Sequence, residues 1–379
     1  MRFTPRPEYR ELRAYDAEPS SQLVNLADNT PAYGVSPGVH AALRELAGAQ
    51  DNSASSATSA GSAAGSPVSA GLWAGRNGSA LDLTRYPTTY SRPLREAIAR
   101  YVGVAPDEIM VGAGSDEVLS CTFRALGAPG QRLAYMHPTF VMTPIFARTN
   151  SVVPVPVPLT AAHDVDADAL LAQGAELTYL CTPNNPTGVP IARAVVERVV
   201  REARGLVMVD EAYAEFAGTN WAGSAPASDG VLVYRTFSKA FGLAGVRAGF
   251  VVGARQLIAE LEKARGPYTV SALSERLALA ALERDVPWIR ERVAEVVAQR
   301  DEFAGQLRAD GFAPLPSAAN FVLVPVGEAA AAHVTLRARG ILVRAFAALP
   351  GIGDALRITI GSRETMANVR EGLQGCARS

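Results

Sequence analysis

Val231-Leu232-Val233-Tyr234-Arg235-Thr236-Phe237-Ser238-Lys239-Ala240-Phe241-Gly242 decides how this chain is read. Val231 to Tyr234 is a short apolar run of the kind that forms a strand buried on both faces. It gives way to hydroxyls, a lysine and a glycine. Lysine is scarce here: of the 36 basic residues, only Lys239 and Lys263 are lysines. Arginine can stand in wherever a charge is all that is needed, but its guanidinium stays protonated and forms no Schiff base. Lys263, in Glu260-Leu261-Glu262-Lys263, fits an ordinary helix-surface charge. The count by itself suits compositional drift as well as chemistry, so the surroundings of Lys239 have to decide.

Outward from this stretch, the chain alternates strands and helices. Glu108 to Val111, Arg132 to Met136, Ser151 to Val157, Leu177 to Cys181, Leu206 to Val209 and Gly249 to Val252 read as further strands. Ser115 to Leu126, Thr139 to Ala147 and Ile191 to Ala203 read as helices. Such alternation predicts an α/β fold, a mostly parallel sheet flanked by helices. Ser271 to about Leu307 is strongly helical. The remainder reads strand (Asn320 to Val324), helix (Ala329 to Arg339), strand (Ile341 to Val343), strand (Ala355 to Ile360) and helix (Arg363 to Leu373), a smaller α+β unit. The expected division is an N-terminal arm over 1–35, a large domain over 36–284 and a small C-terminal domain over 285–379. Gln50 to Ala80 interrupts the large domain. It is dominated by Ser, Ala and Gly, with little charge and no periodicity, and reads as a flexible insertion.

Four segments carry chemistry. Val111-Gly112-Ala113-Gly114-Ser115-Asp116-Glu117 takes a strand through glycines into a helix, where free backbone N–H groups and the helix dipole favour an anion. The third glycine of a dinucleotide fingerprint is missing, which counts against a dinucleotide-binding protein. Thr182-Pro183-Asn184-Asn185-Pro186-Thr187-Gly188 follows a buried strand and fixes a turn at its carboxyl end, where open α/β sheets bind ligands. Asp210, in Val207-Met208-Val209-Asp210-Glu211-Ala212-Tyr213, ends a buried strand. It reads either as a helix N-cap or as the partner of a buried cation. Finally, Ser238 and Arg247 suit a dianionic phosphate while Lys239 holds an aldehyde. Together these list what pyridoxal phosphate requires: a Schiff-base lysine, a carboxylate for the ring nitrogen, donors for the ring oxygen and a phosphate cup.

Composition narrows the field further. The formal charge is −1, with no basic tail or acidic run, which argues against nucleic acid or an anionic membrane as the main partner. Cys121, Cys181 and Cys376 are widely spaced, and the four histidines do not cluster, so neither a metal site nor a disulfide framework is expected. The three cysteines suit a reducing compartment. Met1 to Arg13 lacks the apolar core of a signal peptide, and no run approaches a membrane span. A cytoplasmic location is expected.

These motifs, in this order, resemble those of the fold-type I pyridoxal-phosphate-dependent aminotransferases, and more narrowly those of the histidinol-phosphate aminotransferase family. The resemblance spans nearly the whole chain apart from the insertion. It implies that Lys239 is the Schiff-base lysine and proton shuttle, that Asp210 pairs with the pyridinium nitrogen, and that Tyr213 and Asn185 donate to the ring oxygen. Ser115, Asp116, Ser238 and Arg247 fall on phosphate-binding positions, the first two mainly through backbone N–H. Phe140, in Pro138-Thr139-Phe140, stands where the family usually stacks a tyrosine on the ring. Tyr86, in Arg85-Tyr86-Pro87, resembles the tyrosine that reaches the neighbouring subunit's cofactor, which implies a homodimer. Arg344 and Arg357 match arginines that bind substrate anions. Asn29, Tyr15 and Tyr268 fall near further substrate-contact positions. The family's Asn-Glu-Asn-Pro element appears here as Ala27-Asp28-Asn29-Thr30-Pro31, with an extra threonine before the proline.

The implied activity is ping-pong transamination from histidinol phosphate to 2-oxoglutarate, in histidine biosynthesis. An aminotransferase of the same fold acting on aromatic or other amino acids is the nearest alternative, and a decarboxylase of phosphothreonine type is a more distant one.

Overall fold

The structure, a computed structural model, describes residues 6–9, 12, 23–55 and 84–376. A short strand, β1 (Val24–Asn25), precedes helix α1 (Pro37–Ser55). After the insertion come α2 (Arg92–Val102), β2 (Ile109–Gly112), α3 (Ser115–Leu126), β3 (Arg132–His137), α4 (Met142–Thr149) and β4 (Val153–Pro158). Then follow α5 (Ala167–Leu171), β5 (Leu177–Cys181), α6 (Arg193–Glu202), β6 (Leu206–Asp210), α7 (Ala214–Ala217), β7 (Val231–Thr236) and β8 (Gly249–Gly253). Helices α8 (Arg255–Ala264), α9 (Ala272–Arg284) and α10 (Val286–Ala309) lead to β9 (Phe321–Pro325), α11 (Ala329–Ala338), β10 (Ile341–Leu342), β11 (Arg344–Leu349), β12 (Gly353–Thr359) and α12 (Arg363–Leu373).

Seven strands form one sheet in the order β2-β8-β7-β6-β5-β3-β4. All pair in parallel except β8, which runs antiparallel to both of its neighbours. Strands β2, β5, β7 and β8 are buried along their whole length, as their mostly apolar sequences suit strands covered on both faces. Each fully buried Val, Leu or Phe there contributes about 1.5–3 kcal/mol relative to exposure. The carboxyl ends of β2, β3, β5, β6 and β7 share one edge of the sheet, so the loops carrying Gly112–Ser115, Pro138–Phe140, Thr182–Gly188, Asp210–Tyr213 and Ser238–Lys239 converge there. A second, antiparallel sheet has the order β11-β12-β9. Strand β1 pairs in parallel with β10, Val24 with Ile341, which ties the arm to the C-terminal part of the chain.

The structure departs from the sequence reading in several places. Residues 139–141 belong to the loop after β3, and the helix expected from Thr139 begins at Met142. The strand expected over Ile341 to Val343 is two: β10 pairs with the arm, and β11 starts at Arg344 in the other sheet. Helix α1 runs on to Ser55, into the start of the Ser/Ala/Gly-rich stretch, since no proline interrupts it and alanine favours helix. Residues 56–83 of that stretch lie outside the described residues. Helices α2 and α8, not anticipated from sequence, cover β2, their apolar faces set by Leu94, Ile98 and Val102 and by Ile258 and Leu261. No helix among the described residues is long and apolar enough to cross a membrane.

Candidate active site

At the shared edge of the seven-stranded sheet lies a cavity of about 630 Å³. Lys239, Asp210, Tyr213, Asn185, Ser115, Asp116, Phe140, Ser238, Arg247, Arg344, Arg357 and Asn29 all line it. Among the described residues, the sequence-derived Tyr86 and Tyr268 do not. Tyr86 is 80% exposed and stacks on Tyr268, with ring centroids 4.5 Å apart. Tyr15 lies outside the described residues.

Asp210 ends β6 with only 7% of its surface exposed. Its Oδ2 accepts from the Tyr179 hydroxyl at 2.8 Å, and its Oδ1 accepts from the Ala212 N–H at 3.0 Å. Both readings from sequence thus have a basis, since the carboxylate caps the following turn and also faces the cavity. Burial pushes its pKa up to about 6, against the pull of the Tyr179 hydrogen bond. No ion pair among the described residues offsets it, so the position suits a cationic ring nitrogen. Tyr179, fully buried on β5, was not singled out from sequence, because a tyrosine inside an apolar strand gives no sign of the group it faces.

Lys239 projects into the cavity from the loop after β7. Its Nζ donates to the Asp28 carbonyl at 2.8 Å and lies 5.9 Å from the Tyr213 ring centroid. Burial, reinforced by the nearby Arg357 charge, pushes its pKa down to about 8. A large share of the amine is therefore neutral near that pH, as a nucleophile and a base require.

Tyr213 is 3% exposed, and its hydroxyl oxygen accepts from Asn29 Nδ2 at 2.8 Å. Asn29 is itself held on every side. Its backbone N–H donates to Thr359 Oγ1, its Oδ1 lies 3.1 Å from the same hydroxyl, and its carbonyl accepts from Asn320. With Asn29 donating, the Tyr213 O–H proton is free to point elsewhere. Arg357 works similarly on Asn185. Its Nη1 donates to Asn185 Oδ1 and its Nη2 to the Ala27 carbonyl. The Asn185 amide N–H₂ then remains as the donor. Asn184 meanwhile fastens the loop to Pro138 and Thr187, so its neighbour Asn185 is the one presented to the cavity.

An anion cradle closes another side. Arg247 Nη1 lies 3.4 Å from Ser238 Oγ, and its Nη2 is 3.6 Å from Asp116. A Cβ on Gly114 would come within 2.5 Å of Arg247 Nη2, and one on Gly249 within 2.3 Å of the Ser115 nitrogen. Gly114 also has φ +87, so both steric room and backbone conformation call for glycine there. Behind the cavity wall, Arg235 pairs with Glu211 at 3.1 Å and Glu215 at 2.9 Å, all largely buried. This network supports the segments carrying Asp210 and Lys239.

Comparison with known proteins agrees with this geometry. The model of the family described as aminotransferase class I and II matches residues 21–373. A histidinol-phosphate aminotransferase of Methylibium petroleiphilum is 43% identical over 79% of this chain and 83% of its own. One of Roseiflexus castenholzii is 41% identical over 74% of this chain and 77% of its own. The crystal structure of histidinol-phosphate aminotransferase from Sinorhizobium meliloti, in complex with pyridoxal-5'-phosphate, superposes with a TM-score of 0.79 at 26% identity, covering 98% of this chain and 96% of that one.

Proposed function

The chain belongs to the class I and II aminotransferase family, and from that premise we propose that it moves an amino group from histidinol phosphate to 2-oxoglutarate with pyridoxal 5'-phosphate, yielding imidazole-acetol phosphate and glutamate. The cavity fits the cofactor on three counts: a buried, unpaired carboxylate for the ring nitrogen, a cradle that only glycines leave open for the phosphate, and an amine of lowered pKa. When bound, the cofactor supplies an aldehyde for the amine and a ring that accepts electrons.

The chain's own residues do the rest. Asp210 holds a proton on the ring nitrogen. Tyr213 and Asn185 would donate to the ring oxygen, and Phe140 would lie against the ring. Ser115, Asp116, Ser238 and Arg247 hold the phosphate. Lys239 would supply the amine that holds the cofactor's aldehyde and, as a base of lowered pKa, would carry the proton at the substrate's Cα. We assign Asn29 to holding Tyr213 rather than to the substrate, since its side chain is engaged by Tyr213 and Thr359.

The observation that carries the substrate is the arginine pair. Arg344 and Arg357 are direct register partners on β11 and β12, and both line the cavity. Histidinol phosphate presents a methylene phosphate beside its amino carbon, where glutamate presents a carboxylate. Guanidinium forks bind either oxyanion, so one pocket serves both half-reactions.

The same reading includes a homodimer in which Tyr86 reaches the partner's cofactor, supported by its 80% exposure outside its own cavity. Free thiols at Cys121, Cys181 and Cys376 support a reducing, cytoplasmic setting. The division at about residues 35 and 284 is supported by the confinement of the large sheet to 109–253 and of the three-stranded one to 321–359. A half-reaction screen tests the substrate. The cofactor-loaded enzyme is mixed with histidinol phosphate, phenylalanine, tyrosine or glutamate, and the change in cofactor absorbance is followed. Fast conversion by histidinol phosphate and glutamate is expected. Conversion by phenylalanine alone, or release of CO2 in place of a keto product, overturns the assignment.

A further inference from the structure

Tyr179 sits in the middle of β5, a strand whose residues are all buried, and none of its own surface is exposed. A phenol hydroxyl in such a place is costly unless it finds a partner. Cys181, two residues on and therefore on the same face of the sheet, is the direct register partner of Asp210 on β6. From that face the Tyr179 hydroxyl donates to Asp210 Oδ2 at 2.8 Å. Oδ1 accepts from the Ala212 N–H at 3.0 Å, and no other side chain among the described residues donates to this carboxylate. With a donor on each oxygen the carboxylate is fixed in rotation, and lone pairs are left over for a group in the cavity it lines. Its surroundings oppose its charge. Burial does so most, and Asp116 and Glu211 add to it, although Arg247 lies 3.6 Å from the first and Arg235 3.1 Å from the second. Cys181, Tyr213 and Tyr234 are its further titratable neighbours, and Lys239, Arg247, Arg344 and Arg357 line the same cavity. A hydrogen bond donated to the ionised form favours that form. Burial also keeps the Tyr179 phenol protonated, so it remains a donor.

We propose that Tyr179 is a positioning residue of the reaction: its O–H keeps the Asp210 carboxylate ionised and fixed, so that Asp210 meets the cofactor's ring nitrogen as an anion. This rests on the pairing of Asp210 with that nitrogen. A neutral donor suits the task better than a cation. An arginine or lysine in place of Tyr179 would hold the carboxylate too, but its charge would neutralise Asp210 and repel a protonated ring nitrogen. The phenol lends a proton without a charge of its own.

Tyr179→Phe removes one oxygen and keeps the ring. In the cofactor-free chain, the carboxyl C=O infrared band of Asp210, identified by its loss in Asp210→Asn, is followed across pH. Its midpoint is expected to rise by roughly one to two pH units in Tyr179→Phe, the scale of one hydrogen bond to a charged group. The Kd for pyridoxal 5'-phosphate is then measured at each pH. The variant is expected to bind about ten-fold or more weakly near pH 5.5, where the shift decides how much Asp210 is ionised, and to approach the unsubstituted chain by about pH 9. A side chain that only fills space would weaken binding by the same factor at every pH. An unmoved infrared midpoint overturns the proposal. A moved midpoint with a Kd ratio that does not change with pH overturns the pairing of Asp210 with the ring nitrogen, and the proposal with it. If Tyr179→Phe does not fold at neutral pH, it is expected to fold at about pH 5, where Asp210 is protonated, or in the Asp210→Asn background. Failure in both makes Tyr179 a packing residue and overturns the proposal.

Discussion

Arg344 and Arg357 stand directly opposite each other on antiparallel strands β11 and β12, and both face the active-site cavity. Like charges at directly opposed positions destabilise a strand pair. An anion lying between them reverses the sign of that interaction. Arg357 also steadies Asn185 and the arm through Ala27, so its loss disturbs the cofactor side as well. Arg344→Gln is the cleaner probe. Losing one charged hydrogen bond costs about 1.5–3 kcal/mol, so kcat/KM for both histidinol phosphate and 2-oxoglutarate is expected to fall roughly 10- to 100-fold. Steady-state kinetics check it; unchanged kcat/KM for both substrates removes Arg344 from the substrate site.

With only Lys239 and Lys263 in the chain, attachment of the cofactor is easy to map. Borohydride reduction of the loaded protein is expected to fix the pyridoxyl group on the peptide holding Lys239 and to leave Lys263 bare. Lys239→Arg keeps the charge, loses the reactive amine and should lower turnover by roughly 10²–10⁴-fold, the scale of general acid–base catalysis, or more. A label on Lys263, or appreciable turnover by the arginine variant, contradicts the role given to Lys239.

The pH dependence of the cofactor-free protein follows from Asp210 and Lys239. Asp210 titrates near 6 when folded, against 3.8 as a free side chain, so the folded state binds the extra proton between those values. Its contribution is whole below about pH 4 and is lost as pH rises toward 6. Lys239 titrates near 8 when folded, against 10.5. The unfolded state binds the extra proton there, so stability recovers as pH rises through that window. Thermal melts across pH should show both trends, and Asp210→Asn should flatten the acidic one. An acidic trend that is identical in the variant assigns it to other groups.

The α/β architecture was legible because strands such as β5 and β7 are mostly apolar runs that give way to turn or polar residues. The cavity positions of Asp210, Asn185 and Lys239 were legible for the same reason, since each sits within a few residues of such a run. Phe346, which also lines the cavity, was not, because Arg344-Ala345-Phe346-Ala347-Ala348-Leu349 carries no strand signal and its partner β12 starts at a glycine. Long-range partners were equally hidden. Neither the Asp28 carbonyl at Lys239 nor the Tyr179 hydroxyl at Asp210 leaves a mark in local sequence, since one is backbone and the other sits inside an apolar strand. The resemblance placed Asn29 beside the substrate, but its neighbours in space, Tyr213, Thr359 and Asn320, come from distant parts of the chain.

The contact between Asn29 and Tyr213 makes a last prediction. Asn29 has φ 55, a conformation that asparagine tolerates better than most residues and glycine tolerates best. Asn29→Gly therefore removes the side chain without backbone strain, whereas alanine would confound the two. The Tyr213 oxygen then loses its donor, and the hydroxyl proton is no longer directed away from Asn29. A net loss of about 1 kcal/mol, roughly five-fold in cofactor Kd, is expected. If Asn29 acts through Tyr213, the effects are not additive: Asn29→Gly in a Tyr213→Phe background should weaken cofactor binding little further. KM for histidinol phosphate should stay within a few-fold if Asn29 acts through Tyr213 rather than on the substrate. A full additive loss in the double variant, or a KM effect exceeding that on the cofactor, would return Asn29 to the substrate contacts.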